Sequence, residues 1–175
     1  MSLTAVTRAF VVVFVAALFQ AGVFSSAFVF GGAPDLLLVV VVVLGLLRGS
    51  TVGAVFGFGG GLVVDLLTLD TLGVTSLALT LAGFWAGRYG ETTGRGREIA
   101  PFLAVGVITV LAGIFGFALH YMLGDEVVAR QALVTALIPT VFLNLLLAFP
   151  VHRLVRRVVG ERLVLEPAGE VELVV

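Results

Sequence analysis

The sequence predicts an all-α, polytopic membrane protein of six transmembrane helices, and three observations carry that expectation. Mean hydropathy over the 175 residues is +1.21, with 60% hydrophobic and 12% charged residues, against roughly 25% charged residues in a soluble domain. The apolar residues gather into six long stretches separated by short polar gaps. Nine of the ten Arg fall in every second gap. Hydrocarbon cannot solvate backbone N–H and C=O groups, so such stretches must close their hydrogen bonds internally as helices. Loops on the cytoplasmic side retain the cations.

Composition also excludes several kinds of chemistry. There are no Cys, so disulfides, thiolate metal sites and a cysteine nucleophile are ruled out. All ten basic residues are Arg and the net charge is −1, with no basic face of the kind that binds a phosphate backbone. Nucleic acid is therefore not an expected partner, and the lipid bilayer is.

Segment one covers residues 9–28, enters past Arg8 and contains Gln20 as its one strongly polar side chain. Ser25-Ser26-Ala27 resembles a signal-peptide cleavage site, but the apolar run is longer than the usual 7–15 residues, which favours a retained span. Segment two, 34–47, has only 14 residues, short of the ~20 a perpendicular span requires. Pro34 at its start suits a first helical turn, where the missing N–H is no loss. Segments three to six cover 51–67, 73–89, 100–123 and 130–151. Pro139 lies inside segment six and should kink it, with neighbouring helices or Thr135 satisfying the freed carbonyl.

With the N-terminus inside, Arg8, Arg48, Arg88, Arg95, Arg97, Arg153, Arg156, Arg157 and Arg162 are cytoplasmic and Arg130 alone is outside. If only one of segments two and three crossed, the Arg-rich 88–98 loop would move outside, so both cross or neither does. Residues 1–158 form the membrane domain. Residues 159–175 form a short cytoplasmic tail whose loose alternation around Pro167 suits a small hairpin, a unit of marginal stability alone.

Gly45, Gly49, Gly53, Gly57 and Gly61 recur every fourth residue, joined by Gly59 and Gly60, and Gly83, Gly87 and Gly90 continue the theme in segment four. Gly106, Gly113 and Gly116 extend it into segment five. Small residues at that spacing let another backbone approach closely. The strip serves packing within the chain or receives a partner helix, with Gly53, Gly57, Gly61, Gly83 and Gly87 as its core.

Asp35, Asp65 and Asp70 lie near helix ends on the expected outer side. Asp35 in a first turn complements the positive helix terminus. Asp65 falls near a C-terminal end, where the dipole opposes a negative charge. It calls for a compensating group, and Arg130 is the one Arg on that side. Gln20 and Asn144 are mid-membrane polar groups suited to hydrogen bonding between helices. His120 and His152 read as interfacial side chains, and Arg153, Arg156 and Arg157 as a juxtamembrane cluster facing anionic lipid. No metalloprotease, serine-elbow or phosphate-loop motif occurs, nor is Ser76, the one Ser that His120 could serve, flanked by glycines in such an elbow. The expected protein has no enzymatic activity, cofactor or metal.

The order Pro34-Asp35-Leu36, then Arg48-Gly49, then the ladder Gly53, Gly57, Gly61 ending in Asp65-Leu66-Leu67, then Leu72-Gly73, resembles the rod shape-determining protein MreD family. The likeness continues through Thr80-Leu81-Ala82-Gly83-Phe84 and Gly87-Arg88, over about residues 5–158. This resemblance implies a noncatalytic inner-membrane scaffold of the bacterial cell-elongation machinery. Its implied partners are MreC and, beside it, MreB filaments, RodA and a penicillin-binding transpeptidase. The family is similar in turn to the six-helix substrate-binding subunits of energy-coupling-factor vitamin transporters. A transport subunit with an outer pocket at Asp35, Asp65 or Arg130 is thus the alternative expectation. Few polar groups converge at midplane depth, where a solute site is expected.

Overall fold

Residues 36–48 read Leu-Leu-Leu followed by five Val, then Leu-Gly-Leu-Leu-Arg. A helix apolar on every side has to be surrounded by protein or lipid, and here protein surrounds it. The computed structural model describes residues 3–24, 31–93, 100–122 and 130–160. Within them α1 spans Leu3–Phe19 and continues as a π-helical turn, Gln20–Phe24; α2 spans Leu36–Arg48 and α3 Ser50–Thr68. Next come α4 at Val74–Thr93, α5 at Ala100–Met122 and α6 at Arg130–Val159. Every residue from Leu37 to Leu47 is buried. Around α2 the other helices form a ring in the order α1, α3, α4, α5, α6, with α6 returning to α1.

Helices consecutive in the sequence alternate in direction. Gly57 and Gly61 of α3 meet Leu79 and Ser76 of α4, and Gly106 and Gly113 of α5 face Leu145 and Leu137 of α6, so both pairs are antiparallel. α2 runs parallel to α6: Asp35 at its start binds Asn144, and Arg48 at its end donates to the Val159 carbonyl. The start of α1, the ends of α2, α4 and α6, and the α2–α3 turn therefore share one end of the bundle. Arg8, Arg48, Arg88, Arg153, Arg156 and Arg157 all gather there.

Depth follows from the same register. Leu37 lies against Gly60 of α3 and Val41 against Gly83 of α4, so α2 begins inside the bundle, within about two turns of the Arg-poor ends of α3 and α4. At about 1.5 Å per residue its 13 residues measure roughly 20 Å, against about 30 Å of hydrocarbon. Four helical stretches are long and apolar enough to cross a membrane: Leu3–Val23, Ser50–Thr68, Pro101–Leu119 and Ala136–Val159. α4 has the length, 20 residues, but carries Arg88 and Glu91 near its end.

Three boundaries differ by several residues from the sequence expectation. α1 starts at Leu3 rather than near residue 9, α4 runs to Thr93 rather than 89, and α6 runs to Val159, past the expected end near 151. The added turns of α6 persist because Arg48 caps the Val159 carbonyl and Gly160, at φ +75°, closes the helix in the left-handed conformation; a glycine there is the usual C-terminal stop. Pro139 and Pro150 both lie within α6. Thr135, Arg95, Arg97, Arg162 and the tail hairpin lie outside the described residues or side chains.

Candidate functional site

Starting a helix inside the bundle leaves its first N–H groups without partners where water offers none. Three side chains from three elements meet them. The Asp35 carboxylate, as N-cap, accepts from the Leu38 N–H at 2.9 Å. Gln20 Oε1, from the π-turn of α1, accepts from the Leu36 N–H at 2.8 Å. Asn144 Oδ1, from α6, accepts from the Asp35 N–H at 2.8 Å, while Asn144 Nδ2 donates to Thr109 of α5 at 3.2 Å. The capping role read for Asp35 and the interhelical bonding read for Gln20 and Asn144 are both present, and all three converge on one helix terminus.

The approach to that terminus depends on Gly32. A Cβ there would stand 2.7 Å from the Thr140 N and 2.8 Å from Pro139 Cβ, so only a glycine lets this strand of backbone lie against α6. Sequence reasoning missed Gly32 and Thr109. The Gly31-Gly32 pair beside a short helix was the available signal.

Asp65 is 1% exposed, and its compensation differs from the expected one. Its Oδ2 accepts from the Gly73 N–H at 2.8 Å and the Ser76 N–H at 3.3 Å, placing the carboxylate on the positive N-terminal end of α4. Among the described residues α3 and α6 share no contact. Asp65 thus serves as a cap on the neighbouring helix, and the expected pairing with Arg130 falls on a side chain outside the described part. At the Arg-rich end Glu91 performs the same task for α3, accepting from the Ser50 N–H at 2.8 Å and Ser50 Oγ at 3.1 Å. The bond to the Ser50 N–H, and Arg88 to a lesser degree, hold the Glu91 carboxyl below the usual carboxylate range. Arg153 stacks over the Phe149 ring at 4.1 Å.

The glycine strip is closed within the chain. A Cβ at Gly53 would fall on the Gly83 carbonyl, one at Gly57 on Leu79, one at Gly61 on Ser76, and one at Gly87 on Ser50. Gly45 of α2 joins them, its Cβ position 2.6 Å from the Gly83 carbonyl oxygen. These residues make the α2–α3–α4 contact and leave no strip to receive a partner helix, which corrects the partner-surface expectation for Gly53, Gly57, Gly61, Gly83 and Gly87. Gly59 and Gly116 meet nothing within 4 Å and Gly106 makes ordinary contact at 3.6 Å, while a Cβ at Gly113 would stand 3.0 Å from Leu137 Cδ1, so in α5 the close-packing theme holds at Gly113 alone.

Because α2 is short, space remains beyond its start. A crevice of about 210 Å³ lies there, lined by Asp35, Thr75, Thr109, Gly116, Thr140 and Asn144 among others. Asp65 is not among its walls.

Together these features define a membrane protein, all-α among the described residues, in which Gln20, Asp35, Asp65, Glu91 and Asn144 serve the termini of its own helices. The family model for the rod shape-determining protein MreD matches residues 2–158, nearly the whole chain. The chain belongs to the MreD family, a family of shape-determining structural proteins. No curated protein and no solved structure matches it.

Proposed function

We propose that this chain is a noncatalytic scaffold of the bacterial cell-elongation machinery that crosses the inner membrane six times with both termini cytoplasmic. It binds MreC and works beside RodA, a penicillin-binding transpeptidase and MreB filaments to support lateral peptidoglycan synthesis. The match to the MreD family over residues 2–158 carries this reading. Arg clustering at one end of the bundle supports the orientation. With the glycine strip occupied by α4, the partner helix meets an outward face of the ring.

The vitamin-transporter reading has less support. Sites for drug-sized ligands usually enclose about 300–1,000 Å³, more than the 210 Å³ of the crevice, which leaves too little room for a vitamin. Depletion in a rod-shaped host separates the two readings. The scaffold reading expects rounded cells with mislocalised MreC that no nutrient rescues. Normal shape with a growth defect repaired by one supplied compound would overturn it.

A further inference from the structure

We propose that the crevice beyond the start of α2 is a binding site for a small organic ammonium group, opening toward the Arg-poor end of the bundle. Such a site stands whether or not the chain holds an elongation complex together. Three features select the sign of the ligand. The N–H groups of Asp35, Leu36 and Leu38 are already taken by Asn144, Gln20 and Asp35, so an anion at this helix terminus finds at most the N–H of Leu37, a buried residue. Asp35 Oδ1 accepts from Leu38, while no hydrogen bond engages Oδ2 among the described residues. No basic side chain lines the crevice among those residues, and a carboxylate at membrane depth calls for a cationic partner.

Size and wall chemistry narrow the class. A volume of about 210 Å³ equals roughly seven waters at about 30 Å³ each, enough for an ammonium with its methyl or methylene substituents. Leu38, Ala112 and Gly113 supply apolar wall for those carbons, and the Thr75 and Thr140 hydroxyls supply further oxygen. The open space at Gly116 makes that residue the place to fill the crevice without touching Asp35.

The Cys-free chain allows a direct test. Ala112→Cys reports on the crevice, and Leu69→Cys, 91% exposed on the α3–α4 turn, is the reference for folding and for intrinsic reagent rates. Thiol labelling of Ala112→Cys by a trimethylammonium methanethiosulfonate should exceed that by the sulfonate reagent by about tenfold after this correction, as a charged cleft concentrates its counter-ion. Adding Asp35→Asn, which keeps the N-cap acceptor, should abolish the preference; adding Gly116→Val should abolish labelling. In phosphatidylglycerol vesicles, protection of Ala112→Cys by added ethanolamine supports a free amine as ligand. Protection by phosphatidylethanolamine in the vesicles, without added amine, supports a lipid headgroup. Equal rates with the two reagents, or no protection by either amine source, overturns the proposal.

Discussion

Asn144, midway along α6, accepts the backbone N–H of Asp35 at 2.8 Å and so fixes the residue before α2 against α6 inside the bundle. A fully buried amide in α6 thereby sets the depth of the central helix. Asn144→Leu should lower stability by roughly 1–3 kcal/mol, since a buried N–H is left without an acceptor. Thr109→Val, which removes only the bond from Asn144 Nδ2, should cost less. Thermal unfolding in detergent checks both; equal stability of Asn144→Leu and wild type contradicts the assignment.

Two glycines two residues apart on α3 test the packing strip. Gly57→Ala should disrupt folding, because its Cβ would fall on the Leu79 carbonyl, backbone that cannot swing aside. Gly59→Ala meets open space and should be neutral or stabilising by up to about 1 kcal/mol through helix propensity. Accumulation in membranes and monodisperse elution distinguish them.

Much of this was legible in the sequence. Six segments emerged because long apolar runs leave the backbone no alternative to helix, and Asp35 after Pro34 reads locally as a cap. The glycine spacing announces a flat strip, yet it does not say whose backbone covers it, and α4 of the same chain does. Gln20 and Asn144 stand out as polar groups in apolar runs. Their common target stayed hidden because it depends on α2 starting inside the bundle, short of its neighbours' ends. Asp65 reads as a carboxylate in need of compensation, but nothing local shows that the amide groups of Gly73 and Ser76 at the next helix start receive it. Glu91 and Ser50 are 41 residues apart, a link with no local signature.

Glu91 predicts a pH dependence. Its folded carboxyl is held below the ordinary range, chiefly by the Ser50 N–H. The resulting stabilisation is therefore complete above the unfolded carboxylate value of about 4.3 and is lost as pH falls through the lower folded value. Glu91 lies past the apolar part of α4 and is solvent-exposed, so the effect is small. Glu91→Gln should lower Tm slightly at pH 7, and the gap to wild type should close on acidification. A gap that widens in acid contradicts the capping role.

Orientation is open to single-Cys labelling in intact cells with an impermeant thiol reagent. Asp70→Cys, exposed on the α3–α4 turn, should label, while Arg153→Cys, exposed near the end of α6, should label only after lysis. The reverse pattern contradicts cytoplasmic termini.

Capture of MreC tests the scaffold reading most directly. Membranes from a rod-shaped host carrying a tagged copy of this chain are solubilised mildly, purified on the tag and identified by mass spectrometry, with Gly57→Ala as a misfolding control. MreC should be enriched with the wild-type chain and lost with the variant. Intact, correctly inserted wild-type protein that recovers no MreC would contradict the account.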